Sequence, residues 1–280
     1  MNLENVVIRR MSKGELDLAL DWATAEGWNP GLYDADSFYA VDPDGFFLAE
    51  RSGAPLGCVA AVAYDQAFGY LGLFIVRPPY RGQGVGRRLL DVALRRLQGL
   101  NVGVDAAIEL QQTYARYGFT FAYRNIRHRC VGGGEAPPDV MELACVPFDE
   151  IVRYDGTIFP TSRANFLARW IAQPESASLA CMKHGRLAGY GVLRACRDGC
   201  KIGPLFADDP HAADALFQGL CARGGGAPVF LDTPEANPAA LALAQRRRMT
   251  ALFDTARMYT QRTPPGRIER CYGVTTFELG

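Results

Sequence analysis

The feature that most constrains this chain is that its two halves echo each other at a fixed offset. FFLAERSGAPLGCVAAVAY, residues 46–64, reads as strand, Ser-Gly turn, strand. SLACMKHGRLAGYGVLRA, residues 178–195, reads as strand, His-Gly turn, strand. Alternating apolar positions around a glycine-containing turn predict a β-hairpin in each. Gly57 and Gly189 stand 132 positions apart, as do Leu73-Phe74 and Leu205-Phe206, and Phe121 and Phe253. Val104-Asp105 and Leu231-Asp232 each end a short strand ahead of a helix. Four matches in one order point to duplication. Between the halves lies VGGGEAPP, whose three glycines and two prolines mark a linker. The expected organisation is therefore a first unit over residues 1–130, a linker over 131–138 and a second unit over 139–280.

The first half predicts the order β-α-β-β-β-α-β-α-β, an α/β layer architecture with a mixed sheet. Val6 to Arg10 is a strand, and Ser12 to Ala25 a helix with Ser12 and Glu15 as a capping box. Trp28 to Gly31 is a turn. The hairpin and an apolar strand over Tyr70 to Val76 follow. Gly84 to Gln98 is a helix with Leu89, Leu90, Ala93, Leu94 and Leu97 at helical spacing. A strand over 101–104, a helix over 108–117 and a closing strand over 119–127 complete the half.

Composition narrows the function classes. Thirty basic and thirty acidic residues cancel, which removes the simplest argument for a nucleic-acid partner. No run of eighteen apolar residues predicts a membrane span, and the N-terminal sequence does not read as a secretory signal. Eight cysteines without a Cys-x-x-Cys pair read as buried or incidental thiols in a reducing cytoplasm. Three scattered histidines predict no metal site.

The stretch that carries chemistry is GYLGLFIVRPPYRGQGVGRRLLDVALRRL. A buried strand runs to Val76, a turn follows over Arg77 to Tyr80, and Arg81-Gly82-Gln83-Gly84-Val85-Gly86 opens a helix. Glycines at such a turn let the backbone approach a ligand. The free N–H groups of the first helical turn and the helix dipole suit a phosphate or pyrophosphate. Arg81, Arg87 and Arg88 add positive charge. The spacing is neither G-x-G-x-x-G nor a Walker A loop.

Arg81-x-x-Gly84-x-Gly86 resembles the pyrophosphate loop of the GNAT superfamily, the Gcn5-related N-acetyltransferases. Tyr114-Ala115-Arg116-Tyr117-Gly118-Phe119 resembles the family's closing Tyr-x-x-x-Gly-Phe. The two motifs cover residues 1 to about 130. The whole chain further resembles bacterial tandem-GNAT proteins with a divergent, YitH-like second domain.

The resemblance implies acetyl-CoA as co-substrate, with no metal. Backbone groups of Phe74, Ile75 and Val76 would bind the pantetheine arm. Gly82, Gln83, Gly84, Val85 and Gly86, flanked by Arg81 and Arg87, would take the pyrophosphate. Tyr114 would be the general acid for the departing thiolate, and a primary amine on a small molecule or peptide would attack directly. Where many relatives carry an asparagine that contacts pantetheine, this chain has Ala107; Gln111 and Gln112 lie nearby.

The base stays open among Asp65, Tyr64, Tyr70, Glu26, Asp34, Asp36 and Glu109. Trp28 and Asn29 are either a wall and a polar group of the acceptor site or a turn anchored by one tryptophan. Tyr64 borders the strand leading to the active centre and counts as a candidate substrate contact. Arg163 is either a holder of a substrate carboxylate or a surface arginine on an amphipathic helix. In the second half, Asp208 and Asp209 stand where the glycine loop would be, and Ala244 where the tyrosine would be. That half is expected to be degenerate and non-catalytic. Two rival functions remain: an acyltransferase using a longer acyl-CoA, and a CoA-binding sensor whose catalysis has lapsed.

Overall fold

The computed structural model describes residues 5–280. Its first half runs β1 (Val7–Arg10), α1 (Lys13–Ala25), α2 (Asp34–Val41), β2 (Phe46–Arg51), β3 (Ala54–Ala63), β4 (Phe68–Val76), α3 (Val85–Arg96), β5 (Asn101–Ala107), α4 (Gln111–Arg116) and β6 (Thr120–Val131). The second half repeats the plan with β7 (Val140–Glu142), α5 (Phe148–Asp155), α6 (Ala164–Trp170), β8 (Ser176–Lys183), β9 (Arg186–Ala195), β10 (Cys200–Ala207), α7 (Pro210–Arg223), β11 (Pro228–Pro234), α8 (Pro238–Arg246), β12 (Thr250–Tyr259) and β13 (Cys271–Gly273). This is the mixed α/β architecture of two tandem units that the hairpin repeat predicts.

The predicted elements stand where periodicity places them. β3 is apolar nearly throughout and buried on both faces, as befits a central strand with helices above and below. α3 buries Val85, Leu89, Leu90 and Ala93 along one stripe. Ahead of α1, the Glu15 carboxylate accepts from the Ser12 N–H at 2.8 Å, the reciprocal half of a capping box.

The sequence reading needs three corrections. It has no helix where α2 lies. DADSFYAV is short and opens on two aspartates, and it becomes helical because Ala35 and Phe38 are buried, Phe38 stacking on Trp170 of α6 with ring centroids 6.0 Å apart. The stretch after Trp28 is not a free turn, since Gly31 bridges Cys196 of the other half. The closing strand runs past residue 127 to Val131, which pairs with Pro228, so the first linker position belongs to the sheet.

The larger difference concerns which strands neighbour which. The thirteen strands form one sheet in the order β1-β2-β3-β4-β5-β12-β6-β11-β10-β9-β8-β7, with β13 beside β10. Each half therefore receives its closing strand from the other: β12 pairs with β5, and β6 with β11. Cutting the chain at 130 and 139 divides it by sequence, but it does not divide the sheet. The core follows suit. One apolar cluster runs continuously from Leu16, Phe38 and Phe46 to Leu143, Phe166 and Trp170, while the opposite face carries one cluster under α3 and another under α7.

Candidate active site

The site is built where β4 leaves β5. The parallel ladder between them holds from Phe68–Asn101 to Leu71–Val104 and then ends. At the same point β4 steps out of register with β3, which pairs Gly72 with Ala60 but Ile75 with Cys58. Leu73, inside this bulge, takes the left-handed conformation at φ 44°, and a β-bulge re-aims the strand. The splay opens a cleft of about 530 Å³ lined by Trp28, Gly72, Phe74, Asp105, Tyr114 and Glu278 among others.

At the other end of β4 the predicted loop is a turn into α3. Gly84 is its N-cap at φ 86°, a left-handed conformation that a side chain would strain. The first free N–H groups of α3 follow at Val85 and Gly86. Arg81 is exposed, but its guanidinium is engaged: its Nε donates to the Val76 carbonyl at 2.8 Å, and its Nη2 pairs with Glu26. Gln83 donates to the Pro79 carbonyl at 2.7 Å, which closes the turn. Arg87 lies exposed on the first turn of α3. Of the strand residues, Phe74 lines the cleft, Ile75 is buried in the core, and Val76 lies half-buried with its carbonyl already taken by Arg81.

Tyr114 projects from α4 into the cleft with its ring edge-on to Phe119 and Phe74, centroids 5.5 and 6.5 Å away. It is 3% exposed. Burial pushes its hydroxyl well above the usual tyrosine range, so the proton stays on at neutral pH. Cys58 lies behind the bulge, its Sγ donating to the Leu73 carbonyl at 3.2 Å. Burial pushes that thiol up to about 12, so it is no thiolate nucleophile.

Trp28 lines the cleft, and its carbonyl accepts from Arg127 at 2.6 Å and Lys201 at 3.2 Å, so one cation from each half fixes its position. The remaining acceptor candidates are engaged elsewhere. Asn29 spends its amide on the turn at Asp198, donating to the carbonyl at 2.9 Å and accepting from the N–H at 3.2 Å. Tyr64 donates to the Leu279 carbonyl at 2.8 Å and packs on Phe159, away from the cleft. Arg163 is fully buried, forked onto Asp155 at 2.9 and 2.8 Å and stacked over Phe159. It is a core cation rather than a carboxylate receptor.

Among the base candidates, Asp65 caps the β3–β4 turn and Asp34 is buried against Arg194. Asp36 pairs with Lys13, and Tyr70 donates to Asp105 at 2.7 Å. Glu26 and Glu109 do line the cleft. Ala107 lies on its wall, whereas Gln111 and Gln112 do not.

Sequence reasoning missed the far wall, which comes from the second half: Phe253, Asp254 and Thr255 of β12, and Phe277 and Glu278 of the C-terminal segment. The strand exchange brings the β12 residues here, and the C-terminal segment crosses Gly72 to bring the others. No local pattern in TTFELG signals it.

The corresponding place in the second half is filled. β10 and β11 pair from Cys200–Val229 to Ile202–Leu231, and beyond that β13 lies against β10 at Leu205 and Phe206. The Val274 N–H then donates to the Asp232 carbonyl at 2.9 Å. At the start of α7, the Asp209 carboxylate accepts from the N–H groups of His211 and Ala212, both at 3.0 Å. The chain's own strand and its own carboxylate thus take the positions of an added strand and a bound anion.

A splayed parallel pair, a glycine turn opening a helix and a buried tyrosine on the wall define a pair of acyltransferase-type α/β units in tandem, one with an open cleft. Residues 15–119 match the model of the acetyltransferase (GNAT) family, and residues 151–273 that of an acetyltransferase (GNAT) domain. A holothin acyltransferase of a Pseudoalteromonas species is 28% identical over 95% of this chain and 92% of its own length. The Bacillus subtilis N-acetyltransferase YitH is 23% identical over 74% of this chain and 75% of its own. The crystal structure of a Pyrococcus horikoshii protein assigned to the acetyltransferases superposes with a TM-score of 0.82 at 22% identity, covering 100% of this chain and 98% of that one. The chain belongs to the GNAT superfamily, as a tandem-domain acyltransferase. Among the described residues no helix is long and apolar enough to cross a membrane.

Proposed function

We propose that the first half binds acetyl-CoA in the β4–β5 splay and transfers acetyl to a primary amine by direct attack, and that the second half binds no donor of its own. The carrying observation is the cleft itself. It opens where the β4–β5 ladder stops, with the α3 N-terminus at one end of β4 and the Tyr114 ring on its wall. The edge of β4 beyond Leu71 offers backbone groups to a pantetheine arm as an added strand would. The turn ahead of α3 offers converging N–H groups to a pyrophosphate.

Acetyl-CoA supplies an activated acyl group and a thiolate leaving group. The protein's part is to hold that carbonyl beside β4 and to keep a proton on Tyr114. As the amine nitrogen bonds to the carbonyl carbon and the C–S bond breaks, the Tyr114 hydroxyl gives its proton to the sulfur. Burial keeps that hydroxyl protonated at neutral pH, the state a proton donor must be in when the thiolate departs. The buried Cys58 thiol is consistent with direct transfer without an acyl-enzyme.

Calorimetric titration with acetyl-CoA tests the reading: one site per chain is expected. Two sites would refute the assignment of the second half, and no binding would remove the donor. A chain-length series of acyl-CoA donors, read by CoA release, separates acetyl transfer from transfer of a longer acyl group.

A further inference from the structure

We propose that Glu278, carried into the cleft by the C-terminal segment of the second half, receives the ammonium group of the acceptor and takes its first proton. It follows that the acceptor is a cationic primary amine on an aromatic or otherwise apolar body. This rests on the acetyl-transfer reading above and adds the acceptor's chemistry to it.

The charge lining the cleft has one sign. Glu26, Asp105, Glu109, Asp254 and Glu278 are among its lining residues, and among the described residues no lysine, arginine or histidine lines it. Three of these are matched from outside: Asp105 by Arg257, Glu26 by Arg81, and Asp254 by Arg124. Glu278 differs from them. It is 2% exposed, its Oε2 accepts from the Thr276 hydroxyl, and its buried Oε1 has no hydrogen-bond partner among the described residues. A buried carboxylate oxygen without a donor is costly, and a ligand N–H is the group that would relieve it.

The neighbouring cations do not fill that place. Arg127 forks onto Asp232 at 2.7 Å and donates to the Trp28 carbonyl, and the Lys201 ammonium also donates to that carbonyl. Both lie close enough to attract Glu278 through space, and neither hydrogen-bonds its Oε1.

Position agrees with the role. The Glu278 backbone crosses directly over Gly72, where β4 parts from β5, and Tyr114 stands on the same cleft wall. The rest of the lining is largely apolar, including the rings of Trp28, Phe74, Phe253 and Phe277 and the exposed Ile108 and Leu110. Such walls favour an apolar body behind the ammonium. The protons balance. Glu278 takes one from the ammonium and later releases it to solvent. The second N–H proton, lost as the amide forms, replaces the one Tyr114 gives to sulfur.

The test uses phenethylamine and its neutral isostere 2-phenylethanol as probes, titrated calorimetrically at pH 7 into the full-length protein and into Glu278→Gln, each with CoA present. The wild type should take the amine about tenfold or more tighter than the alcohol, the fold-change of one charged hydrogen bond. Glu278→Gln should erase that preference while leaving acetyl-CoA affinity unchanged. Equal binding of amine and alcohol to the wild type, or a preference that survives in Glu278→Gln, would overturn the assignment. If Glu278→Gln does not fold, the same titration of Glu109→Gln decides: an amine preference kept there supports Glu278, and one lost there overturns it. An intact amine preference in a protein that binds no acetyl-CoA would support Glu278 and refute the donor reading, so the two failures are distinct.

Discussion

Asp105, in the second half of β5, is held by Arg257 of β12 at 2.6 and 2.9 Å, although the two residues belong to different halves of the chain. Its counterpart is the pair of Asp232 on β11 and Arg127 on β6, with both hydrogen bonds at 2.7 Å. In each, the aspartate on a half's own strand is fastened by an arginine on the closing strand lent by the other half. All four side chains are almost completely buried. Removing one member of such a pair leaves an uncompensated charge in the interior, which costs about 3–5 kcal/mol. Asp105→Asn is therefore expected to lower the unfolding free energy of the whole chain by about that much in urea, in one transition. A loss below about 1 kcal/mol, or unfolding of the two halves in separate steps, would count against the exchanged strands as the bond between them.

Tyr114 gives the second expectation. Its hydroxyl is the proton source in the proposed transfer, and its ring packs on Phe74 and Phe119. Tyr114→Phe keeps the ring and removes the proton. General acid catalysis supplies typically 10²–10⁴ in rate, so kcat should fall by roughly that factor while acetyl-CoA affinity and melting temperature stay near those of the wild type. A kcat within a few-fold of wild type would show that another group, or solvent, protonates the leaving thiolate.

The sequence made the strand-turn-helix around Gly84 and the Tyr114 helix legible because both are local. Apolar periodicity and glycine placement specify them within thirty residues. It did not make the partners of Asn29, Tyr64 or Arg163 legible. Each has ordinary turn or surface surroundings along the chain; Asn29 and Tyr64 are claimed by groups far along it, Asp198 and the Leu279 carbonyl, and Arg163 by Asp155 at the end of the preceding helix. Alternation along β6 and β12 tells which face is inward, not which strand lies alongside. Hence the exchange stayed hidden, and with it Phe253, Phe277 and Glu278. α2 was hidden for a related reason, since its apolar face is completed by Trp170 of the other half.

Stability should respond to acid through Glu15. The Arg9 guanidinium and the Ser12 N–H hold its carboxyl down at about 2, below the usual 4.5. A depressed carboxylate contributes stability above its unfolded value, and that contribution is lost as pH falls through the folded one. Glu15→Gln should thus lower the melting temperature at pH 7, with the gap to wild type closing between pH 4.5 and 2. The effect is modest, because Arg9 and Glu15 are both partly exposed and water screens them. A gap that stays constant from pH 7 to pH 2 would show that the pair adds nothing beyond the cap.

Gly72 joins the fold to the chemistry most directly. A methyl group at its α-carbon would overlap the Glu278 carbonyl oxygen and crowd the Glu278 carbonyl carbon at 2.8 Å. These are backbone atoms, so no rotamer change relieves the clash; either β4 or the C-terminal segment must move. The segment is the weaker of the two, since β4 is paired on both sides up to Leu71. It is also anchored, by the Tyr64 hydroxyl on Leu279 and by the Gly280 N–H on the Thr276 carbonyl. Gly72→Ala should therefore cost about 1–3 kcal/mol, as overpacking does. It should also raise the acceptor KM by displacing Glu278, with acetyl-CoA affinity kept. Gly14→Ala in α1 is the control, because a Cβ there meets nothing within 4 Å. It should leave both kinetic constants alone and hold or slightly raise stability, as alanine is the better helix former. If Gly72→Ala melts and turns over like Gly14→Ala, the C-terminal segment does not press on β4, and Glu278 loses its place in the cleft.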